Sequence, residues 1–185
     1  MPSGTPAVVA EEVAPTPATI ADGSTNSSTT TAVPDLTSNT STGVASSSSH
    51  AVAEAEAWTS FDRNDGYGSS PLTYGWSTPI DQPVGWVAYQ FETPIAINKY
   101  GFFGHGYAGF NYNPTNWTFE GSSDGLTWTV LGSKVGFTAS DHAWHYFSVV
   151  NDVAYTHYRL NVTSNGRAGY VNSSEIKFIA GQPLP

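Results

Sequence analysis

All 25 aromatic residues of this 185-residue chain lie beyond position 57, and this one-sided distribution limits where a core can form. Residues 1–44 hold 16 Ser or Thr and five Pro, but no aromatic residue and no Lys or Arg. A segment so poor in large apolar side chains cannot offset the entropy lost on ordering, and its prolines discourage helix. The sequence therefore predicts an extended arm, residues 1–44, followed by a folded domain, residues 45–185.

The net charge, the lack of cysteine and the lack of targeting segments argue against several classes of partner and site. The chain has 6 basic and 15 acidic residues and a formal net charge of −9, which argues against nucleic acid and against anionic membrane surfaces. There is no cysteine, so disulfides and thiolate sites are excluded. No signal peptide follows Met1, and no apolar stretch approaches the length of a membrane-spanning helix. We expect a protein made in the cytoplasm that does not insert into a membrane.

Apolar and polar side chains alternate with a period of two beyond residue 80. The alternation is clearest in segments 86–91, 117–121 and 158–163, and it is typical of strands with one buried face. The Ser-Ser-Asp-Gly sequence at 122–125 predicts a hairpin turn, because Asp-Gly accepts the positive φ that such turns need. Several short strands separated by turn signals predict an all-β sandwich or barrel.

Several segments, in order, resemble the discoidin-like domain family, also called the coagulation-factor type C or galactose-binding-like family. The most specific is the Trp-flanked hairpin at 117–131; the others are 45–48, 58–62, 76–77, 86–91, 97–100, 155–160 and 175–178. The resemblance implies a jelly-roll β-sandwich that is not an enzyme and that often binds glycans or cell surfaces. The chain departs from the family in lacking the terminal disulfide and in having a long, Gly- and Ser-rich loop at 66–74.

The resemblance places ligands in loops at one pole of the sandwich. Aromatic rings suit the C–H faces of sugars, and Asn, His or Arg suit their hydroxyls. Two loops carry these residue types, so the predicted ligand-binding residues are His105, Tyr107, Phe110, Asn111 and Tyr112 in the first and Arg167 and Tyr170 in the second. The alternatives are that Phe110 and Tyr112 pack over the end of the sandwich and that Arg167 pairs with a nearby acid.

The resemblance also implies a structural calcium between two acidic segments. Asp62, Asp65 and Glu175 are the predicted ligands, since carboxylate oxygens suit this hard cation. The alternative is that these carboxylates cap turns and hold no metal. The turn after Asp62 departs from the family pattern.

Two functional classes remain from the sequence. The first is a virion-surface protein, such as a bacteriophage head decoration or tail-fibre protein, present in many copies or as a homo-oligomer. In it, residues 1–44 anchor to other virion proteins and the loops bind a host surface glycan. The alternative is a carbohydrate-binding module beside a glycan-active enzyme, or a purely structural decoration protein without a ligand. No catalytic motif is present, so we expect no enzymatic activity.

Overall fold

The computed structural model describes residues 21–22, 31–33, 43–52, 55–64, 75–104, 106–107, 110–138, 142–167 and 169–180. In these ranges the regular elements are strands and a 3-10 helix at Ala57–Ser60. None of the described helical segments is long and apolar enough to cross a bilayer.

The described strands range from two to eleven residues in length. They are β1 Ala21–Asp22, β2 Thr31–Val33, β3 Gly43–Ser47, β4 Trp76–Ser77, β5 Gly85–Ile95, β6 Ile97–Phe103, β7 Gly106–Tyr107, β8 Phe110–Asn111, β9 Pro114–Ser122, β10 Thr129–Lys134, β11 Trp144–Ser148, β12 Tyr155–Asn165, β13 Asn172–Ser173 and β14 Glu175–Ala180.

Two five-stranded antiparallel sheets form the sandwich. The front sheet has the order β10-β9-β12-β5-β3, and the back sheet has the order β1-β11-β6-β14-β2. Two further pairs, β4 with β13 and β7 with β8, lie outside them. Neighbouring strands are mostly far apart in sequence, as in jelly rolls, and this arrangement confirms the predicted all-β sandwich.

Aromatic side chains from both sheets fill the core. Tyr100 stacks on Phe119 with ring centroids 4.2 Å apart, and the indole Nε1 of Trp117 donates a hydrogen bond of 2.6 Å to the Tyr100 hydroxyl. All three side chains are at most 1% exposed. Each such side chain contributes about 1.5–3 kcal/mol through burial, so the aromatic enrichment beyond residue 57 is a packing feature.

The predicted hairpin joins β9 to β10. Asp124 Oδ1 accepts hydrogen bonds of 2.8 Å from the backbone N–H groups of Leu126 and Thr127. These bonds to the charged form, together with one from the Ser122 hydroxyl, lower the pKa of Asp124 from 3.8 to about 2. Gly125 has φ 70°, which explains the Asp-Gly pair.

The outer face of the front sheet carries an ion pair between two tryptophans. Arg159 Nε lies 2.5 Å from Glu120 Oε2, and its guanidinium carbon lies 4.1 Å from the Trp128 ring centroid and 5.9 Å from that of Trp86. Asn161 Nδ2 donates to the second Glu120 oxygen at 3.2 Å. The alternation that buries Trp117 and Phe119 places these polar residues on the opposite face.

Two short segments of the predicted arm belong to the back sheet. β1 pairs with β11 at one edge, and β2 pairs with β14 at the other. β3, the first strand of the front sheet, begins at Gly43. Anchoring of residues 1–44 to a partner stays a prediction.

Candidate functional site

The two loops predicted to bind a ligand lie side by side. The backbone N–H of Asn172 donates to the Tyr112 carbonyl at 2.9 Å, and that of Gly166 donates to the Asn113 carbonyl at 3.2 Å. These contacts continue the pairing of β9 with β12, which extends to Asn165 opposite Pro114. We call the loop pole the segments 106–107, 110–113, 164–167 and 169–172 together with Gln82.

A stacked pair of tyrosines joins the two loops. The rings of Tyr112 and Tyr170 lie 4.1 Å apart at an interplanar angle of 14°, and the Arg167 guanidinium carbon lies 6.0 Å from the Tyr112 centroid. The Asn165 side-chain amide donates to the Tyr170 carbonyl, which holds the second loop against this stack. Three of the predicted residues are thus brought together.

The tyrosine stack offers an aromatic surface next to the polar groups of the phenols and of Arg167. Tyr170 is buried, and this burial together with the neighbouring Tyr112 hydroxyl raises its pKa, so the Tyr170 phenol stays neutral at physiological pH. Tyr112 is half-buried and Arg167 is exposed. The half-buried state of Tyr112 allows it to pack on Tyr170 and still offer ring area to a ligand. The ligand-binding role of these residues stays a prediction.

The remaining residues of the first loop are placed only through their backbone. The segment expected to be an irregular loop forms a small hairpin instead, in which Tyr107 pairs with Phe110 and Gly106 pairs with Asn111. Strand pairing gives partners to backbone polar groups that a bare loop would leave to solvent. The side chains of Tyr107, Phe110 and Asn111, and all of His105, lie outside the described residues.

Sequence reasoning missed the segment that supports the second loop. Gln82 forms a parallel bridge with Tyr170, and the backbone N–H of Val171 donates to Thr78 Oγ1 at 3.0 Å. The Gln82 side-chain oxygen in turn accepts from the Ser49 hydroxyl at 3.1 Å. No local sequence signal marks these contacts, because they join residues 33 to 93 positions apart.

Two of the three predicted calcium ligands, Asp62 and Glu175, lie next to each other. The backbone N–H of Arg63 donates to Glu175 Oε2 at 3.1 Å, which fixes the turn after Asp62 against the start of β14. The Ser60 hydroxyl donates to the Ser173 carbonyl at 2.7 Å and ties the same two segments together. Asp65 lies outside the described residues.

The carboxyl group of Glu175 is in an environment that disfavours its charge. The side chain is 1% exposed, and its Oε1 has no hydrogen-bond donor among the described residues. Burial first, then the hydrogen bond and negative charge of Asp62, raise the pKa of Glu175 to about 9. Two adjacent carboxyl groups of this kind need either a shared proton or a bound cation.

The donor chemistry fits calcium. A buried carboxylate oxygen without a donor, beside a second carboxylate, offers the hard oxygen ligands that Ca²⁺ prefers. Within the described ranges no group of three or more His, Asp or Glu side chains could hold a metal. Asp62 and Glu175 would therefore hold the ion together with backbone oxygens or water, and Asp65 is the third candidate.

Comparisons with known proteins place the chain in a known domain family. The chain matches the F5/8 type C domain family over residues 43–176. A comparison with curated proteins gives no match.

Solved structures share the fold at low sequence identity. The F5/8 type C domain of a Bacteroides fragilis protein has a TM-score of 0.64 at 16% identity, covering 83% of this chain and 97% of that one. CpGH89CBM32-5 from Clostridium perfringens, in complex with GalNAc-β-1,3-galactose, has a TM-score of 0.61 at 16% identity, covering 75% and 95%. Chitosan-binding module 1 of a chitosanase/glucanase from Paenibacillus sp. IK-5 has a TM-score of 0.59 at 19% identity, covering 76% and 96%.

The family match spans most of the chain and coincides with the sandwich from β3 to the start of β14. The chain therefore belongs to the F5/8 type C, or discoidin-like, domain family.

Proposed function

We propose that this chain is a non-enzymatic carbohydrate-binding module and that its loop pole holds a sugar. The observation that carries the proposal is the stack of Tyr112 on Tyr170 with Arg167 beside it. A half-buried ring offers a face for sugar C–H groups, and an exposed guanidinium offers several donors for hydroxyl or carboxylate oxygens.

The structural neighbours support a module of this kind. One was solved with a GalNAc-containing disaccharide, and another is a chitosan-binding module of a glycan-degrading enzyme. Of the structures named above, none is described as a virion protein. We therefore favour a module that works beside a glycan-active enzyme over a virion-surface protein that is anchored by residues 1–44.

We further propose a structural calcium ion at Asp62 and Glu175. The ion would balance the negative charge that the buried Glu175 and the half-buried Asp62 place side by side. Asp62 and Glu175 would bind it, and the backbone N–H of Arg63 would keep the Glu175 carboxylate in place. Bound calcium would then tie the 60–64 turn to the start of β14, behind the second loop.

A glycan array with the full chain tests the main proposal. Wild-type protein is expected to bind one or a few glycans. Replacement of the exposed Arg167 by Ala, or of Tyr112 by Ala, should weaken that binding about tenfold or more. The control is Leu126→Ala, since Leu126 is 84% exposed in the hairpin at the other end of β9. No binding to any glycan, or equal binding by all variants, would contradict the proposal.

A further inference from the structure

Two lysines and two aromatic side chains lie together on the outer face of the back sheet. Tyr146, Gly101 and Lys177 are opposite one another on β11, β6 and β14 and form one row across three strands. Trp144 and Lys99 lie two residues along β11 and β6, so they share this face. We call these five residues the back patch. The loop pole, by contrast, continues the pairing of β9 with β12 in the front sheet.

The two aromatic rings form a fixed floor for the back patch. The rings of Trp144 and Tyr146 stack with centroids 5.9 Å apart and an interplanar angle of 22°. A Cβ atom on Gly101 would lie 2.7 Å from Tyr146 Cδ1, so the ring occupies the space that a side chain at 101 would take. The rings are thus packed against the sheet before any ligand arrives, which lowers the entropic cost of binding.

Each lysine of the back patch is held over one of these rings. Lys177 Nζ lies 3.6 Å from the Trp144 ring centroid, and Lys99 Nζ lies 5.0 Å from that of Tyr146. Both lysines are half-buried, and neither forms an ion pair within the part of the chain that the structure describes. A cation–π contact orients an ammonium group but leaves its charge in place. The back patch therefore presents two positioned positive charges without a carboxylate partner.

The spacing of the two lysines matches that of acidic side chains on an extended peptide. Lys177 is opposite Gly101, so Lys99 is its diagonal neighbour on the adjacent strand, at about 7–8 Å. In an extended chain, side chains at positions i and i+2 point to the same side and are about 7 Å apart. Two carboxylates at this spacing can each accept a charge-assisted hydrogen bond from one ammonium group.

We propose that the back patch binds an extended acidic peptide segment of a partner protein. Two carboxylates of the segment, two positions apart, would pair with Lys99 and Lys177, and its backbone would lie across the rings of Trp144 and Tyr146. The proposal does not rest on sugar binding at the loop pole.

The observations favour an acidic peptide over other anionic partners. The ammonium groups already lie over the rings whose faces the C–H groups of an acidic glycan would need. Nucleic acid gains affinity from many neutralised phosphates, whereas the back patch has two lysines in a chain of net charge −9. A short peptide needs only the local charges, because salt screens the rest of the chain beyond about 8–10 Å.

The test is a fluorescence anisotropy titration of the full chain with a labelled peptide. The peptide consists of threonine and valine with two glutamates two positions apart. One ligand control has glutamine in place of both glutamates. The other has the glutamates at adjacent positions, which an extended chain points to opposite sides. The first peptide should bind at least about tenfold more tightly than either control.

Variants of single lysines test the residues of the back patch. Lys99→Gln and Lys177→Gln should each weaken binding of the first peptide about tenfold. The matched control is Lys134→Gln, which should bind as the wild type does. Lys134 also lies over aromatic rings, with Nζ 5.8 Å from the Phe137 centroid and 5.6 Å from that of Phe147, but it belongs to β10 of the front sheet.

A second measurement keeps the test valid if a lysine variant fails to fold. Backbone amide shifts of the wild-type chain, followed by nuclear magnetic resonance, should change on addition of the peptide at 99–101, 144–146 and 177. The melting temperature of each variant shows whether it is folded, and affinities are compared only among folded variants.

Several outcomes would overturn the proposal. They are no binding of the first peptide, equal affinity for the glutamine peptide, and amide shifts confined to the loop pole. Equal losses in Lys99→Gln and Lys134→Gln would overturn it too, since net charge alone would then explain the effect. Tighter binding of a galacturonate tetramer than of the peptide would assign the back patch to an acidic glycan instead. The proposal for the loop pole is tested separately, by the Arg167 and Tyr112 variants.

Discussion

Replacing Tyr100 by Phe removes one oxygen atom from the centre of the core and leaves every ring in place. In the wild type, the Trp117 indole N–H donates a hydrogen bond of 2.6 Å to the Tyr100 hydroxyl. The substitution leaves this N–H without that acceptor, and Trp117 is only 1% exposed to solvent. An unsatisfied buried donor costs about 1–3 kcal/mol. The stack of Tyr100 on Phe119, at 4.2 Å, is retained, so loss of packing adds little. We therefore expect Tyr100→Phe to lower the free energy of unfolding by about 2 kcal/mol.

Urea unfolding of the full chain, followed by tryptophan fluorescence, measures this change. The midpoint should fall while the dependence on urea concentration stays the same, because the buried surface is unchanged. As a control, Tyr100→Phe and Trp117→Phe are combined in a double-mutant cycle. The coupling energy between Tyr100 and Trp117 should be at least about 0.5 kcal/mol. A loss below about 0.5 kcal/mol for Tyr100→Phe, or strict additivity in the cycle, would refute the reasoning.

Three further predictions concern the hairpin, the metal and the outer face. Asp124→Asn should destabilise the protein above pH 5 and have a smaller effect towards pH 2. The reason is that a carboxyl group with a pKa lowered from 3.8 to about 2 stabilises the fold only when it is ionised. Urea unfolding midpoints measured across this pH range test the prediction. Calcium should raise the melting temperature of wild-type protein stripped with EDTA but not that of Glu175→Gln. Arg159→Met should cost about 3 kcal/mol in urea unfolding, because Glu120 is 5% exposed and loses its counter-charge; the double variant with Glu120→Gln should recover part of it.

Each of these has a clear contrary result. A pH-independent effect of Asp124→Asn would mean that the charge of the carboxylate does not support the turn. An unchanged melting temperature after addition of calcium or EDTA would contradict the proposal of a structural calcium ion. A loss of less than about 1 kcal/mol for Arg159→Met would show that water, not the guanidinium, solvates Glu120.

The sandwich could be predicted because each strand has a local sequence signal, the alternation of apolar and polar residues. Trp117, Phe119 and Leu160 alternate with polar residues, and the two periodicities of strand and helix differ enough to be told apart. The hairpin at 122–125 could be predicted for a similar reason, since Gly125 needs its positive φ. The alternation does not give the architecture of the sheets; the family resemblance implied a jelly roll, and the order of the strands is seen only in the structure.

The site was only partly predictable. The residue types in the two loops indicated sugar chemistry, but the stack of Tyr112 on Tyr170 depends on pairing between β9 and β12. The support from Gln82 depends on contacts across about 90 residues, which no local pattern records. The hydrogen bond from Trp58 Nε1 to Glu56 was not predicted either, because it depends on how the chain folds around the 3-10 helix.

The most direct test of sugar binding at the loop pole is to map where the strongest glycan from the array binds. Backbone amide shifts of the full chain should change at 112–113 and 164–172, where the two loops meet, and the affinity should fall about tenfold in Arg167→Ala but not in Leu126→Ala. Shifts confined to other parts of the sandwich, or an affinity indifferent to Arg167→Ala, would contradict the assignment of this pole as the sugar site.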